Sequence, residues 1–213
     1  MNNNDILESV SSGIDRKKNP QNGGLDEIAN ELRRCCELYE EKLRNGEKHV
    51  SLFEVEQRVA EVYAKQRGLW IPMDKVFELG IPGPCGNEND TYVSENVIYK
   101  VNNLLNSGGI LRLFDKILLH NQTFPETHYC LYGFAGYDGR SVCPVLSQGL
   151  VKDAVPATQI EIDTFMSALG FNKKDSIGRY HNNEIEVWDA VPRNVLKDKY
   201  GDLFIVDVEI KKK

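Results

Sequence analysis

The sequence contains few of the patterns from which small proteins build metal or disulfide sites. Its cysteines are odd in number, two are adjacent, and no C-x-x-C pair occurs; they are Cys35, Cys36, Cys85, Cys130 and Cys143. The four histidines show neither H-x-x-H nor H-E-x-x-H spacing. Since zinc sites and disulfide frameworks need such patterns, these absences argue against both, and we expect buried or incidental reduced thiols.

Long apolar runs and an excess of basic charge are also missing. No segment approaches the roughly 18 consecutive apolar residues that a membrane-spanning helix needs, and residues 1–5 lack the basic and apolar regions of a signal peptide. The formal net charge is −6 and the pI is about 5.3, which argues against a nucleic-acid-binding surface over the whole protein. We therefore expect a cytoplasmic protein that binds neither membranes nor nucleic acid.

The composition allows a sizeable core. The chain has 213 residues, of which 41% are hydrophobic and 27% charged, so one medium domain with a helical extension is favoured. Residues 1–24 are rich in Asn, Ser, Gly and Lys and are expected to form a flexible tail. We predict a helical extension over 25–70, packed on a domain that covers 71–213.

Two amphipathic helices are predicted in the extension. The first carries apolar residues at three- and four-residue steps and ends at Asn45-Gly46; its stripe comprises Leu25, Ile28, Leu32, Cys35 or Cys36, Tyr39 and Leu43. The second begins at Ser51, which can form a capping box with Glu54, and stops near Gly68; its apolar face comprises Leu52, Val55, Val59 and Val62. We interpret both stripes as core packing, with a partner-binding surface over 25–68 as the alternative.

The remainder alternates between hairpins and helices. We predict a short helix at 74–79, a hairpin over 91–101, a helix over 110–119, a strand pair at 127–137 and 140–146, a helix over 157–169, a strand near 184–187 and a C-terminal hairpin. This order indicates an α+β fold in which helices back one side of an antiparallel sheet.

The residues with the clearest chemical pattern are in the last quarter of the chain. Asp189 is followed after five residues by Asn194 and after thirteen more by Asp207, across a predicted hairpin with its turn at 200–202. This spacing suits a site in which one carboxylate orients a hydroxyl while an amide and a second carboxylate hold Mg²⁺ against nucleotide phosphates. The alternatives are that Asp189 and Asn194 cap a loop and that Asp207 is a strand-end turn residue.

A lysine and two glycines provide a second candidate group. Lys100 lies in the apolar strand V-I-Y-K-V, where a buried lysine needs a partner, and its ammonium group can bind phosphate oxygens. Upstream, Gly83 and Gly86 would allow a loop to approach phosphates through backbone N–H groups. A solvent-facing lysine and an ordinary turn at Pro82 and Pro84 are the alternatives.

Together these features resemble the protein-kinase-like fold, and more closely the small kinase-like family found in polyvalent proteins of bacterial mobile elements. The similarity covers about residues 70–210 and includes, beyond the metal-site residues, G-N-E-N-D-T-Y at 86–92, V-I-Y-K-V at 97–101, L-H-N at 119–121, F-P at 124–125, G-F at 133–134, P-V-L-S-Q at 144–148 and L-G-F at 169–171. The resemblance implies a minimal kinase-like fold: an antiparallel N-lobe sheet with a helix and a much reduced C-lobe, preceded by N-terminal helices.

The resemblance also implies roles for individual residues. Lys100 matches the lysine that pairs with the α- and β-phosphates, and Asp189 looks like the catalytic-loop aspartate that accepts or orients the acceptor hydroxyl. Asn194 and Asp207 look like the Mg²⁺ ligands. Gln148, Gly149 and Leu150 would form the hinge whose backbone faces adenine, so ATP and Mg²⁺ are the expected cofactors.

The sequence departs from the kinase pattern at several points. V-W-D replaces H-R-D, so the arginine that reads a phosphorylated activation loop is absent, and D-V-E replaces D-F-G, which makes Glu209 a candidate additional metal ligand. The helix over 110–119 has no Glu to pair with the strand lysine; Asp115 and Glu88 are the candidates. Since the chain ends six residues after Asp207, we expect no activation loop, A-P-E motif or peptide-binding helices.

The sequence therefore supports three hypotheses. The first is a minimal ATP- and Mg²⁺-dependent phosphotransferase of the protein-kinase-like fold, which transfers the γ-phosphate to a protein or small-molecule hydroxyl. The second is a pseudokinase that acts as a nucleotide-binding or purely protein-interaction module, with the helices over 25–68 as its working surface. The third is a small-molecule kinase whose helical extension closes the acceptor pocket.

Overall fold

The computed structural model describes residues 3–13, 24–46 and 50–213. Its α-helices are α1 (Asn3–Gly13), α2 (Leu25–Asn45), α3 (Leu52–Arg67), α4 (Ile110–Thr123) and α5 (Gln159–Ala168). Its strands are β1 (Trp70–Pro72), β2 (Ile81–Pro82), β3 (Asn89–Ser94), β4 (Val97–Asn102), β5 (Tyr129–Gly136), β6 (Val142–Gly149), β7 (Val155–Pro156), β8 (Asn172–Lys173), β9 (Tyr180–His181), β10 (Ile185–Trp188), β11 (Val195–Lys197), β12 (Leu203–Ile205) and β13 (Glu209–Lys212). Short 3₁₀ helices cover Met73–Leu79, Pro125–Thr127 and Pro192–Asn194.

Helix α1 stands where the sequence predicted a flexible tail over 1–24. Ile6 and Val10 lie one turn apart on its buried face, and the Cys35 thiol of α2 donates to the Val10 carbonyl at 3.8 Å. A surface ion pair joins Glu8 to Lys42. The apolar face of α1 is therefore covered by α2, while residues 1–2 and 14–23 of the predicted tail lie outside the described residues.

Helices α2 and α3 form by the predicted mechanism. The whole predicted stripe of α2 is buried, and both adjacent cysteines belong to it. Helix α3 has the predicted capping box between Ser51 and Glu54 and ends at Gly68 in the left-handed conformation. Leu52 is an exception, because it is 66% exposed. The Tyr63 hydroxyl donates to Glu31 at 2.8 Å and the Arg67 guanidinium pairs with the same carboxylate at 3.0 Å, which joins α3 to α2.

Helix α3 is also bonded to the strands that follow it. The buried Gln57 side chain bonds both backbone groups of Val142 in β6, donating at 3.1 Å and accepting at 2.5 Å. At the turn between β5 and β6, Arg58 donates to the Gly139 carbonyl and Glu61 accepts from the Gly139 N–H, each at 3.0 Å. Because both the NH₂ and the C=O group of the buried Gln57 amide are bonded to Val142, this contact fixes the position of α3 along β6.

The first sheet has six strands in the order β1-β5-β6-β4-β3-β2. Strands β2, β3 and β4 pair antiparallel, and Thr91 stands opposite Lys100. Strand β1 pairs with β5 in parallel, which the antiparallel prediction did not include. The strand core consists of Val76, Val101, Ala135 and Val145.

Helix α4 receives its N-terminal cap from another helix. Glu56 of α3 accepts hydrogen bonds from the backbone N–H groups of Ile110 at 2.6 Å and of Leu111 at 3.3 Å. These donors have no partner within their own helix, and a carboxylate complements the helix dipole there. Burial raises the pKa of Glu56, and the two N–H bonds oppose that rise.

The later part of the chain forms two small antiparallel sheets and helix α5. The sheets have the orders β12-β11-β7 and β13-β10-β9-β8, and their shared core includes Ile162, Met166, Val187, Val195 and Ile205. Thr158 and Glu161 form the capping box of α5, and Glu161 also pairs with Lys197 of β11. The bond from Lys197 is the largest cause that lowers the pKa of Glu161 to about 2.

The chain divides into two compact units. The first comprises the described residues of Met1–Asp115 together with Cys130–Gln148, and the second comprises Lys116–Tyr129 and Gly149–Lys213. Helices α1 to α3 thus belong to the same unit as the six-stranded sheet. A mixed α+β fold, the coarser part of the prediction, is what the structure shows. Within the described ranges, every helix is too short or too polar to span a membrane.

Candidate functional site

Asp189 and Asn194 are bonded to each other in the second unit. The Asn194 side-chain amide donates to the Asp189 carboxylate at 2.8 Å and to the Asp189 backbone carbonyl at 2.9 Å. The 3₁₀ helix Pro192–Asn194 turns the chain back, so that Asn194 contacts Asp189 five residues earlier. Because the side-chain amide nitrogen is used in both bonds, the side-chain carbonyl oxygen of Asn194 is the atom left to accept a hydrogen bond from another group or to bind a cation.

Asp207 lies at the same end of the β11–β12 hairpin as Asn194. Val195 pairs with Ile205, and the Val206 N–H donates to the backbone carbonyl of Asn194 at 3.0 Å. The sequence predicted one strand over 203–209, but the structure ends β12 at Ile205 and begins β13 at Glu209, in the other sheet. Asp207 therefore occupies the break between two strands, one residue beyond the backbone bond to Asn194.

Two buried hydroxyl groups hold the backbone that leads to Asp207. Thr127 donates to the Ile205 carbonyl at 2.6 Å, and Tyr129 donates to the Val206 carbonyl at 2.6 Å. Thr127 is 4% exposed and Tyr129 is 5% exposed. Neutral hydrogen bonds of this kind contribute about 1 kcal/mol each. They fix the backbone carbonyls of the two residues that precede Asp207.

Glu209 already has a partner in the second unit. Lys116 of α4 pairs with the Glu209 carboxylate at 2.9 Å, and the two side chains are 14% and 30% exposed. Glu209 was a candidate additional metal ligand from its place in D-V-E. With one of its carboxylate oxygens bonded to a lysine, it fits the role of an anchor for β13 better than that of a metal ligand.

The loop that carries Asp189 has an unusual backbone. Asp189 has φ +63°, a left-handed conformation that costs an ordinary residue about 1–2 kcal/mol. The Ala190 N–H donates to the Gly178 carbonyl at 3.1 Å, and Gly178 itself has φ +79°. A Cβ atom on Gly178 would lie 2.8 Å from the Ala190 oxygen and 2.8 Å from a Val191 methyl group. The loop containing Gly178 thus packs directly on the backbone beside Asp189.

Arg193 is a contact of Asp189 that the sequence reasoning missed. Its guanidinium pairs with the carboxylate oxygen that Asn194 does not bond. The Arg193 side chain is 70% exposed, whereas that of Asp189 is 40% exposed. Arginine in the P-R-N sequence gives a usable signal, since a long cationic side chain four residues after an acid in a tight loop can reach it. Both carboxylate oxygens of Asp189 are therefore bonded within the loop.

Lys100 lies in the first unit, on β4, and is 6% exposed. Thr91 stands opposite it in the strand register, so the two side chains share a face of the sheet. Asn102 lies two residues on and shares that face. Its side chain accepts from the Leu104 N–H at 2.8 Å and donates to Asn89 at 2.9 Å. The solvent-facing alternative for Lys100 does not agree with this burial.

The two suggested acidic partners of Lys100 differ in their surroundings. Asp115 pairs with Arg33 of α2 at 2.9 Å, and its side chain is 62% exposed. Glu88 is 8% exposed and accepts from Asn106 at 3.3 Å, while its backbone carbonyl accepts from Asn103. Glu88 is thus buried, as Lys100 is, whereas Asp115 is exposed and paired with Arg33; the pairing of Lys100 with an acid stays a prediction.

The loop between β2 and β3 contains the two candidate glycines. The Gly83 N–H donates to the Thr91 carbonyl at 2.9 Å, and the Gly86 N–H donates to the Asn89 carbonyl at 3.0 Å. Both N–H groups therefore bond the loop to β3. A Cβ atom on Gly83 would lie 2.7 Å from the Thr91 hydroxyl, whereas one on Gly86 would meet nothing within 4 Å. Gly86 is exposed and leaves room for a close ligand.

The predicted hinge coincides with a passage of the chain between its units. Gln148 ends the first unit and Gly149 begins this part of the second. Gln148 is 3% exposed on β6, and Leu150 is half-buried directly after that strand. The role of these residues as a hinge that faces adenine stays a prediction.

The contacts thus bring Asp189, Asn194 and Asp207 to one end of a hairpin in the second unit. Lys100, Gly83, Gly86 and Gln148 belong to the first unit. In the described residues no group of three or more His, Cys, Asp and Glu side chains forms a metal site. A Mg²⁺ ion does not need such a cage, because it is usually held by one or two carboxylates, several waters and substrate phosphates. The oxygen atoms of Asn194 and Asp207 fit this donor set.

Comparison with known proteins identifies a family. A family model described as serine/threonine/tyrosine kinase found in polyvalent proteins matches residues 54–213. The match includes most of α3 as well as everything after it, and so begins before the predicted domain boundary at residue 71. No curated protein and no solved structure shows significant similarity to the chain.

Proposed function

The chain belongs to the family of serine/threonine/tyrosine kinases found in polyvalent proteins, and on that premise we propose that it is an ATP- and Mg²⁺-dependent phosphotransferase. The acceptor is a hydroxyl group on a protein or a small molecule. The acceptor oxygen forms a bond to the γ-phosphorus as the bond to the bridging oxygen breaks, ADP leaves, and the hydroxyl proton passes to Asp189. Phosphoryl transfer depends mainly on positioning and electrostatics, so few groups suffice.

The observation that carries this proposal is the joined arrangement of Asp189, Asn194 and Asp207. Asn194 uses its amide nitrogen on Asp189 and leaves its carbonyl oxygen for a cation. Its backbone carbonyl bonds Val206, which places Asp207 one residue away. Asp189 thereby stands as the hydroxyl-orienting carboxylate, and Asn194 and Asp207 stand as the Mg²⁺ ligands. The bound metal would neutralise phosphate charge as the γ-phosphoryl group is transferred.

The strands of the first unit support the proposed nucleotide side. The order along the chain is a glycine loop at 83–86, a hairpin, a strand with a buried Lys100, helix α4, and then β5 and β6, which end at Gln148. We assign Lys100 to the α- and β-phosphates, Gly83 and Gly86 to the loop over the phosphates, and the hinge from Gln148 to Leu150 to adenine. In this proposal the first unit serves as the N-lobe and the second as a reduced C-lobe.

The contacts of α3 support a revised extent for the proposed functional domain. Its Gln57, Arg58 and Glu61 side chains bond β6 and the turn before it. We therefore propose that α3 is a structural part of the kinase-like domain, and that α1 and α2 form the extension that packs on it. This boundary lies near residue 50 instead of 71, and it leaves α1 and α2 as the surface for a protein partner.

Ligand-induced thermal stabilisation tests the metal and nucleotide assignment. A non-hydrolysable ATP analogue with Mg²⁺ should raise the melting temperature of the wild-type protein, because a ligand that binds only the folded state stabilises it. Asp207→Ala should abolish this shift. Asp202→Ala removes an exposed carboxylate from the turn of the same hairpin and should keep the shift. Equal shifts in the two variants, or none in the wild type at millimolar ligand, would exclude the proposal.

One observation favours a pseudokinase as the second candidate. Both carboxylate oxygens of Asp189 are bonded, one to Arg193 and one to Asn194, so the acceptor hydroxyl has to compete with Arg193 or share a carboxylate oxygen with a bonded group. ATP turnover separates the two candidates. In an active phosphotransferase, ATP hydrolysis or autophosphorylation is lost in Asp189→Asn while nucleotide binding is kept. Nucleotide binding without any transfer in the wild type would identify a pseudokinase.

A further inference from the structure

A basic pocket lies directly beside the loop of Asp189 in the second unit. Its volume is about 220 Å³, and it is lined by Lys174, Arg179, Tyr180, Glu186, Val187, Trp188 and Lys211. Three of these side chains are cationic and one is a carboxylate, so the lining has an excess of two positive charges. The chain as a whole has a formal net charge of −6, so the positive charge of the pocket is opposite in sign to that of the whole protein.

The cations of the pocket are held in place by neighbouring groups. Lys174 and Lys211 both pair with the Glu186 carboxylate, at 3.1 and 3.4 Å. Lys211 also lies 5.2 Å from the centre of the Trp188 ring, a cation–π contact that keeps its ammonium group over an apolar wall. Since Glu186 serves two lysines, neither is fully neutralised, and an incoming anion can bind both.

Arg179 adds a third cation to the lining of the pocket. Its only ion pair among the described residues is a 3.6 Å contact with Asp175, longer than a good charged hydrogen bond. The Arg179 side chain is 52% exposed, so its remaining N–H donors face solvent. A guanidinium with free donors suits a carboxylate or a phosphoryl group.

The pocket is joined to the proposed active site through the backbone. Trp188 precedes Asp189 directly, and Arg179 follows Gly178, whose carbonyl accepts from the Ala190 N–H at 3.1 Å. The pocket lining therefore includes the residue directly before Asp189 and the residue directly after Gly178. A polypeptide whose hydroxyl lies at Asp189 brings its neighbouring side chains towards this pocket.

We propose that this pocket binds an anionic side chain of a polypeptide phosphoacceptor, close in sequence to the hydroxyl that is phosphorylated. The proposal rests on the phosphotransferase function and names the acceptor class: an acidic protein segment. Carboxylate and phosphoryl side chains share the required chemistry. The exposed lysines and arginine attract the segment, and the aromatic walls of the pocket bind its backbone and side-chain carbons.

A binding experiment with labelled peptides tests this without requiring turnover. The probes are a fluorescein-labelled serine peptide flanked by glutamates, the same peptide flanked by glutamines, and one flanked by phosphoserines. Fluorescence anisotropy at physiological ionic strength should show binding of one or both anionic peptides and none of the neutral one. A preference between glutamate and phosphoserine identifies the natural anion.

Matched variants locate the binding. The double variant Lys174→Gln/Arg179→Gln and the single variant Lys211→Gln should each weaken binding about tenfold or more, as expected for loss of charge-assisted hydrogen bonds. Lys199→Gln removes a charge from an exposed lysine outside the pocket and should leave binding unchanged. Circular dichroism checks that each variant is folded.

Three results would overturn the proposal: equal binding of neutral and acidic peptides, equal loss in the pocket variants and Lys199→Gln, or equally tight binding of a short oligothymidylate. The stabilisation by the ATP analogue and Mg²⁺ is measured on the same variants and should persist. A chain that fails to bind nucleotide contradicts the phosphotransferase function, whereas a pocket that fails to bind the peptides contradicts only the acceptor class.

Discussion

Replacing Gly178 by alanine tests how the Asp189 loop is held. Gly178 has φ +79°, where alanine is disfavoured by about 1–2 kcal/mol. The new Cβ would also lie 2.8 Å from the Ala190 carbonyl oxygen, a backbone atom that has to move. Overpacking of this kind costs about 1–3 kcal/mol, so the total loss of stability is about 2–5 kcal/mol.

The structure offers a matched control for this substitution. Gly170 lies in the same unit with φ +82°, and a Cβ atom there meets nothing within 4 Å. Gly170→Ala therefore carries only the conformational cost, about 1–2 kcal/mol. For a chain of this size, 1 kcal/mol corresponds to about 2–4 °C in melting temperature. Gly178→Ala should melt well below Gly170→Ala, by about 2–12 °C.

The two variants should also differ in activity. Displacement of Ala190 moves the neighbouring Asp189, so ATP turnover should fall strongly in Gly178→Ala and stay near the wild-type value in Gly170→Ala. Thermal melts and ATP turnover on both proteins provide the measurements. Equal melting temperatures with equal turnover would show that the contact between Gly178 and Ala190 does not hold the loop.

Three further predictions follow from single contacts. Tyr129→Phe removes the hydrogen bond to the half-buried Val206 carbonyl and should cost about 0.5–1.5 kcal/mol in urea unfolding, with weaker stabilisation by the ATP analogue and Mg²⁺; unchanged values for both would show that this bond does not hold the backbone before Asp207. The lowered pKa of Glu161 gives stability that is present above its usual pKa of 4.5 and lost as the pH falls towards 2. In Glu161→Gln, the melting temperature should therefore fall less steeply between pH 4.5 and pH 2 than in the wild type. An equally steep fall in both proteins would refute the pairing with Lys197. Glu56→Ala removes the acceptor of two N–H groups at the start of α4 and should lower stability by about 1–2 kcal/mol, measured by urea unfolding at neutral pH; a neutral effect would contradict the cap.

Sequence patterns predicted the parts of the fold that depend on local order. The α2 stripe has an uninterrupted helical period, and the α3 capping box depends on residues three positions apart, so both were confirmed. The spacing from Asp189 to Asn194 is likewise local, and the structure closes it by direct hydrogen bonds. Each of these features depends on residues that are close together in the sequence.

Features that depend on distant residues were missed. Thr127 and Tyr129 bond carbonyls that lie 78 and 77 residues away, and Lys116 pairs with Glu209 across 93 residues. No periodicity connects such positions. The α1 helix was missed for a different reason, because its two buried apolar residues stand within a segment whose Asn and Ser content is typical of tails.

The crystal structure of the protein with a non-hydrolysable ATP analogue and Mg²⁺ is the most direct test of the proposed function. We predict a metal ion about 2.0–2.1 Å from the side-chain carbonyl oxygen of Asn194 and from an Asp207 carboxylate oxygen. We also predict that the Lys100 ammonium group contacts the α- and β-phosphates and that adenine lies against the backbone of Gln148 to Leu150. A nucleotide bound elsewhere, or bound without a metal at Asn194 and Asp207, would contradict the proposed function.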